Sequence, residues 1–304
     1  METILATAGY DEKVVLWNAK NEVATKMIPL KDVHVNCMAV TPDRQFLAVA
    51  AHKSLKLFDL NSTSTVPVHV YEGHASNITA LGFAKRLNWL YTASEDGSIK
   101  IWDFNTHRAQ RTYEQKSGVN SVALHPNQSE IIAGYDNGLL CLWDLATNTY
   151  RTGVNTEDTI RSVQIAGDAS FGVFANNSGQ VSLWNLDGEK FNILSRVQAH
   201  NTYITKCVLS TEGKLLATCS ADKTVKIWQI NTSNEDDILT LDKTLIGHKM
   251  WVWDAAFTVE RSFIATCSTD CTAKLWEVAT GRITKNYIGV HTKGIISLVL
   301  NDYN

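Results

Sequence analysis

A seven-bladed β-propeller, an all-β ring of four-stranded blades, is the fold that this sequence predicts. The first observation is a short strand pattern that ends on an aromatic ring and occurs seven times in 304 residues. The second is its spacing, because successive terminal aromatics lie 41, 44, 41, 41, 44 and 48 residues apart, a period typical of one four-stranded blade per copy. The third is that the copies use the whole chain, so we expect residues 1–304 to form a single domain. The terminal aromatics are Trp17, Phe58, Trp102, Trp143, Trp184, Trp228 and Trp276.

The copy that ends at Trp102 shows the parts of one repeat. Residues 66–71 form an outer strand, and residues 78–83 alternate apolar and polar positions as an innermost strand. Residues 90–94 form the second strand, and an Asp-Gly turn leads into the third strand at 98–102. Each repeat therefore supplies the four strands that a blade needs.

The two ends of the chain predict how the ring closes. The sequence begins with a second strand, Ile4–Ala8, and ends with an innermost strand, Ile295–Leu300. We therefore expect the C-terminal strand to complete the N-terminal blade, with His291 preceding it as in other blades. Closure of this kind leaves no free sheet edge to template aggregation.

Three blades carry a set of residues that resembles the buried hydrogen-bonded tetrad of WD-repeat proteins. In each set the His precedes the terminal Trp by 28 residues and the Asp precedes it by six. A Trp buried in a blade needs an acceptor for its N–H, and the predicted chain runs from Asp to His to Ser to Trp. The sets are His74, Ser94, Asp96 and Trp102; His200, Ser220, Asp222 and Trp228; and His248, Ser268, Asp270 and Trp276.

The other blades depart from this tetrad. The blade that ends at Trp17 keeps His291 and Asp11 but has Gly9 in place of the Ser. Three further blades lack both the His and the Asp, so we expect their local stability to be lower. They are the blades that end at Phe58, Trp143 and Trp184.

The repeated His, Ser and Asp do not predict catalysis. A Ser-His-Asp triad needs an exposed nucleophile beside an oxyanion hole, whereas these sets repeat and each belongs to a strand-ending Trp. We expect no catalytic residues, and the acidic residues of the channel face are too scattered for an enzymatic site.

Composition excludes several other classes of function. The formal charge of −3 has both signs dispersed and no basic run, so we expect no nucleic-acid partner. No continuous apolar stretch of roughly 18 residues occurs, so we expect no direct membrane insertion. The first residues contain no basic region followed by an apolar stretch, so we expect no secretory leader. The six cysteines lack zinc-site spacing. We therefore expect no metal or cofactor, and thiols that are reduced and buried.

The residues that flank the first apolar position of each innermost strand are expected to face one mouth of the central channel. Trp251 and Trp253 do not belong to the repeat, since Trp276 already ends their blade. Trp is enriched among interface hot spots, which favours a partner-binding role, although either indole could instead pack against the neighbouring blade. The predicted partner-binding residues are Trp251, Trp253, Tyr203, Tyr10, Asn36, Asn77, Glu95, Asn120 and Arg161.

One polar insertion, Asn231–Asp237, lengthens the spacing before Trp276. Seven polar residues between strands are typical of a solvated loop, although a role in partner docking stays open.

The whole chain resembles the small WD-repeat, G-protein-β-subunit-like subunit of target-of-rapamycin (TOR) kinase complexes. The Trp251-Val252-Trp253 element resembles the paired tryptophans with which that family faces the kinase. The outer loops and the polar insertion match no motif of the family. The other matching stretches are 4–11, 40–44, 124–128, 215–228 and 298–302.

This resemblance implies a non-catalytic scaffold that binds the C-terminal lobe of a TOR-type kinase, supports its active site and belongs to both TOR complexes. It also implies other TOR-complex subunits as partners, and a cytoplasmic location with endomembrane association through them. The alternative is a generic WD-repeat adaptor. WD-repeat substrate receptors of ubiquitin ligases commonly carry the motif Trp-Asp-x-Arg after a third strand. This class is disfavoured because the arginine of the motif is missing after Trp102-Asp103. A phosphopeptide reader needs clustered Arg, and Arg161 stands alone.

Overall fold

The computed structural model describes residues 4–31, 33–86, 88–186, 191–234 and 237–302, and the regular structure in these ranges is entirely β-strand. The strands form seven four-stranded antiparallel sheets, which confirms the predicted seven-bladed propeller. Of the predicted polar loop, Glu235 and Asp236 lie outside the described residues.

Blades are numbered in chain order by their terminal aromatic residue. Blade 1 contains β1 (Ile4–Gly9), β2 (Lys13–Asn18), β3 (Val23–Pro29) and β28 (Ile295–Asn301). Blade 2 contains β4 (Val35–Val40), β5 (Phe46–Ala51), β6 (Ser54–Asp59) and β7 (His69–Glu72). Blade 3 contains β8 (Ile78–Phe83), β9 (Trp89–Ser94), β10 (Ser98–Asp103) and β11 (Ala109–Glu114). Blade 4 contains β12 (Val119–Leu124), β13 (Glu130–Tyr135), β14 (Leu139–Asp144) and β15 (Thr149–Asn155).

The remaining three blades complete the ring with the same order of strands. Blade 5 contains β16 (Ile160–Ile165), β17 (Phe171–Asn176), β18 (Gln180–Asn185) and β19 (Ile193–Gln198). Blade 6 contains β20 (Ile204–Leu209), β21 (Leu215–Ser220), β22 (Thr224–Ile230) and β23 (Leu239–Ile246). Blade 7 contains β24 (Val252–Phe257), β25 (Phe263–Ser268), β26 (Ala273–Glu277) and β27 (Ile283–Tyr287).

The predicted outer strand at 66–71 is shorter in the structure, and it belongs to the preceding blade. It is β7, which pairs with β6 of blade 2. One sequence repeat therefore spans two blades. Its outer strand is the last strand of one sheet, and its innermost strand is the first strand of the next sheet.

The C-terminal strand closes the ring as predicted. Strand β28 pairs antiparallel with β1 from Ile4↔Asn301 to Ala8↔Ser297. The buried carboxylate of Asp254 on blade 7 adds a link, because it accepts a hydrogen bond of 3.1 Å from the backbone N–H of Leu298 on β28.

The predicted tetrads exist, but their hydroxyl comes from a threonine and not from the predicted serine. In blade 3 the Trp102 indole N–H donates to Thr92 Oγ1 at 2.8 Å. Thr92 Oγ1 is 2.6 Å from His74 Nε2, and His74 Nδ1 is 3.2 Å from Asp96. The predicted Ser94 instead accepts from the Asp96 backbone N–H, at the turn.

Strand register explains this correction. Trp102 lies opposite Leu90, and a cross-strand side chain reaches its diagonal neighbour two residues along. That neighbour is Thr92, whereas Ser94 lies one pleat further away. Ser220 and Ser268 are replaced in the same way, by Thr218 in blade 6 and Thr266 in blade 7.

The expectation that blade 1 lacks a complete tetrad is therefore wrong. Its hydroxyl belongs to Thr7, which accepts from Trp17 at 2.8 Å and lies 2.8 Å from His291. His291 in turn lies 3.0 Å from Asp11. Since His291 comes from the C-terminal segment and the other three residues from the N-terminal segment, this tetrad also fastens the ring.

The blades without a His and an Asp differ in the hydrogen-bond partner of the indole N–H, where the terminal residue is a Trp. In blade 4 the Trp143 N–H donates to the hydroxyl of Tyr135 at 2.8 Å. In blade 5 the buried N–H of Trp184 has no hydrogen-bond partner among the described residues, and in blade 2 Phe58 has no N–H to satisfy. Lower local stability of these three blades stays a prediction.

The threonine assignment predicts a specific loss of stability. Replacing Thr266 by the isosteric Val leaves the Trp276 N–H and the His248 ring nitrogen without their shared partner. An unsatisfied buried polar group costs about 1–3 kcal/mol, so urea unfolding is expected to show a loss of that size. The exposed Thr240 supplies the matched control. An equal, small effect of Thr266→Val and Thr240→Val would rule out the assignment.

The tetrad carboxylates predict a loss of stability in acid. Burial alone raises the pKa of Asp222, but hydrogen bonds to His200 and Thr224 lower it to about 2, from 3.8. A carboxyl whose pKa is lower in the folded state stabilises the fold above pH 4, and this contribution disappears as the pH falls toward 2. Urea unfolding at a series of pH values is expected to show that slope, and Asp222→Asn to flatten it. The exposed Asp237→Asn should leave it unchanged, and an equal slope in all three proteins would refute the linkage.

Candidate interaction surface

The seven innermost strands begin around one end of the central channel, which we call the mouth. Each of these strands has a β-bulge at its second residue, as in the register shift between Val252 and Asp254. A bulge re-aims the extra side chain away from the regular alternation. All seven bulged residues line a central cavity of about 520 Å³, and they are Asn36, Thr79, Asn120, Arg161, Thr205, Trp253 and Ile296.

The structure brings the predicted partner-binding residues together at this mouth. Eight of them line the cavity, and the ninth, Trp251, packs against two of the eight, Tyr203 and Trp253. The eight are Tyr10, Asn36, Asn77, Glu95, Asn120, Arg161, Tyr203 and Trp253.

The paired tryptophans differ in their surroundings. Trp251 precedes β24 and is 41% exposed, whereas Trp253 is half-buried and donates its N–H to Thr269 Oγ1 at 2.7 Å. The two indole centroids are 5.9 Å apart, and Trp251 meets Tyr203 edge-on at 5.4 Å. Trp251 is therefore the free member of an aromatic cluster that Trp253 anchors.

Hydrogen bonds between neighbouring side chains hold the polar part of the mouth in place. Glu95 accepts from Asn77 Nδ2 at 2.9 Å, and Arg161 Nε donates to Asn177 Oδ1 at 2.8 Å. Asn120 Nδ2 donates both to Asp136 Oδ1 and to the backbone carbonyl of Ile160. The mouth is consequently preorganised before any partner arrives.

Three exposed apolar residues near the tryptophans are absent from the predicted set. Met250 is 45% exposed beside Trp251, and Ile246 is 75% exposed at the end of β23. Ile288, 61% exposed, holds the matching place after β27. The pattern that could have revealed the two isoleucines is an isoleucine directly before a turn glycine, where Glu72 stands in blade 2.

Two charged residues inside the channel are also absent from the predicted set. The third residue of the innermost strand is small in five blades, but it is Lys206 in blade 6 and Asp254 in blade 7. Both line the central cavity. The five small residues are Cys37, Ala80, Ser121, Ser162 and Ser297.

The serines of the predicted tetrads and most of the cysteines are buried within the blades. Ser94, Ser220 and Ser268 are fully buried. Four cysteines are buried, but Cys37 and Cys271 are partly exposed, and Cys271 lies in a turn and not in a strand. The described ranges contain no group of three His, Cys, Asp or Glu side chains that could hold a metal ion. They also contain no helix with the length and apolarity to cross a membrane.

Comparison with known proteins adds relatives in sequence and in structure. The family model "WD domain, G-beta repeat" matches residues 28–59, 65–103, 108–144, 191–229 and 239–277. The target of rapamycin complex subunit LST8-1 of Arabidopsis thaliana is 42% identical over 82% of this chain and 82% of its own length. The target of rapamycin complex subunit LST8 of Saccharomyces cerevisiae is 37% identical over 99% of this chain and 100% of its own. The β-propeller domain of Cps50 (Swd1) from Myceliophteria thermophila, a solved structure, superposes with a TM-score of 0.77 over 87% of this chain and 88% of that one, at 15% identity.

Proposed function

Because this chain belongs to the WD-repeat family of LST8-type target of rapamycin complex subunits, we propose that it is a non-catalytic scaffold that binds the catalytic domain of a TOR-type kinase through its mouth. The relatives named as TOR complex subunits support the membership in such a complex. The observation that carries the binding mode is the exposed aromatic cluster of Trp251, Trp253 and Tyr203.

The chemistry of the mouth fits a protein partner. Trp251 keeps two-fifths of its surface exposed although it is one of the largest apolar side chains, and an aromatic side chain of this size can bury about 150–250 Å² against a partner. Ile246, Met250 and Ile288 extend the apolar surface outward over blades 6 and 7. Several exposed apolar residues on neighbouring blades favour an interaction site.

The rigidity of the aromatic cluster also favours its use as a binding surface. Trp253 is fixed by its hydrogen bond to Thr269 and by packing on the core between blades 7 and 1, so the cluster is ordered before binding. A preorganised surface loses little conformational entropy when it docks. The propeller thus stabilises its partner by offering a fixed template, in both TOR complexes and without chemistry of its own.

The proposed docking site on the kinase is the C-terminal lobe, and the proposed location is the cytoplasm, with endomembrane association through other subunits. The resemblance of the whole chain to TOR-complex subunits supports both proposals.

Purification of a tagged form of the chain tests the proposal in two stages. A TOR-type kinase is expected among the co-purifying proteins, and the isolated catalytic domain of that kinase is expected to co-migrate with the purified chain in size-exclusion chromatography. Recovery of the complex without co-migration of the catalytic domain would leave the subunit role intact and refute the docking site. Absence of the kinase from the first stage would refute both.

A further inference from the structure

The channel below the mouth is a second candidate site, because charged side chains line it. The cavity of about 520 Å³ continues into a deeper cavity of about 260 Å³. Six residues line both cavities and so lie between them, and two of the six, Lys206 and Asp254, are charged. The other four are Cys37, Thr79, Ala80 and Ser121.

Lys206 is a charged donor with nothing to donate to. No described residue accepts a hydrogen bond from its ammonium group. Burial acts to lower the pKa of Lys206, but the nearby carboxylate of Asp254 and the neighbouring thiols raise it, and the net direction is upward. The ammonium group therefore remains charged inside the channel, with its three N–H groups free.

Two further residues that carry hydrogen-bond donors line the same cavity. Arg161 uses its Nε on Asn177, which leaves its terminal guanidinium nitrogens available at the mouth. The Nδ2 of Asn36 is buried and has no hydrogen-bond partner among the described residues, and Asn36 lines the cavity with Arg161 and Lys206. A buried donor without an acceptor destabilises the folded protein, so an acceptor delivered by a ligand would remove that cost.

The acidic groups of the channel are already satisfied by the protein. Asp254 accepts from the backbone N–H of Ala255 at 2.9 Å and of Leu298 at 3.1 Å, and it lies 3.5 Å from Ser297 Oγ. Glu95 accepts from Ser76 at 3.1 Å and from Asn77 at 2.9 Å. The free hydrogen-bonding capacity of the channel is thus on the donor side.

We propose that the central channel binds an anionic group, a carboxylate or a phosphate, between Lys206, Arg161 and Asn36. Charged donors prefer such acceptors, and an Arg beside a Lys suits their several oxygens. The cavity is larger than one such group, so the molecule or side chain that carries the anion has room among Tyr10, Tyr203 and Trp253. This site does not depend on the proposed kinase partner.

Phosphorus NMR of inorganic phosphate, titrated with the purified chain at constant ionic strength, tests the site. Saturable line broadening is expected, and succinate should compete for the site. Lys206→Met and Arg161→Gln should each weaken phosphate binding about tenfold, since each removes a charge-assisted hydrogen bond. Lys214→Met is the matched control, because its side chain is 70% exposed and lies away from the channel.

Absence of saturation in the parent protein, or equal affinity in parent, Lys206→Met and Arg161→Gln, would overturn the proposal. If Lys206→Met fails to fold because Asp254 loses its counter-charge, the exposed Arg161→Gln decides alone. The same titration on the chain assembled with its kinase identifies the source of the anion. Loss of phosphate binding there means that an acidic side chain of the partner fills the site, and retained binding means that a free anion does.

Discussion

Removal of residues 290–304 is expected to abolish cooperative folding, which is the largest effect that we predict for any change in this chain. The truncation removes β28 and with it the innermost strand of blade 1. It also takes His291 from its tetrad and leaves the buried Asp254 without the N–H of Leu298. Strand β1 becomes an unpaired edge, which templates aggregation.

Thermal unfolding followed by circular dichroism, with size-exclusion chromatography, measures this effect. The truncated chain should aggregate or lack a cooperative transition, and a synthetic peptide of residues 290–304 added in trans should restore part of the folded signal. The milder variant Leu298→Ala keeps the strand and removes one buried side chain, so it should lose about 2–5 kcal/mol and still fold. A soluble truncated monomer with the melting temperature of the parent would contradict the account of closure.

Replacement of both Trp251 and Trp253 by Ala is expected to weaken kinase binding more than any other change at the surface. Truncation of one hot-spot Trp costs about 2 kcal/mol or more, which is roughly a 30-fold loss of affinity. Trp251 is the more exposed of the two, although it packs against Tyr203 and Trp253, so its replacement should account for that loss with only a small change in stability. Trp253 also packs on the core, so its replacement should lower the melting temperature as well.

A titration of the kinase catalytic domain with each purified variant measures these affinities. Trp251→Ala alone separates binding from stability, because its side chain is exposed. Tyr150→Ala is the control, since Tyr150 is an aromatic residue of similar exposure, 45%, on the outer strand of blade 4. Full affinity in a folded double variant would remove the aromatic cluster from the interface.

The architecture could be predicted from the sequence because repetition fixes it. The spacing of the strand-ending aromatics determined seven blades, and the order of strands at the two ends determined the closure by β28. The blade to which an outer strand belongs was not predictable in the same way, because β7 follows one sheet in the chain and precedes the next.

The tetrads show the limit of reasoning from motif position. Thr92 and Ser94 lie on the same face of one strand and both carry a hydroxyl group. Residue type alone therefore does not determine which of them accepts the hydrogen bond from Trp102. The choice depends on cross-strand register, which places Trp102 opposite Leu90. The position of Thr7 also depends on register, and Gly9 therefore suggests a defect that the structure does not have.

At the mouth, alternation predicted which positions face the channel but not why. In the structure a β-bulge turns one residue of each innermost strand toward the channel, and a bulge is difficult to recognise in a sequence. Lys206 and Asp254 are not predictable in this way, because a charged residue within a strand pattern is ordinarily solvated, whereas here both line the channel of the closed ring.

Hydrogen–deuterium exchange of the chain, free and bound to the kinase catalytic domain, tests the central claim most directly, since it reports the docking face without any mutation. We predict protection on binding in residues 246–253 and 288–294, which carry Trp251, Trp253 and the exposed isoleucines. The loops at the opposite end of the channel, such as 125–129 and 166–170, should exchange equally in both states. Protection confined to those opposite loops, or no protection at the mouth, would contradict the account.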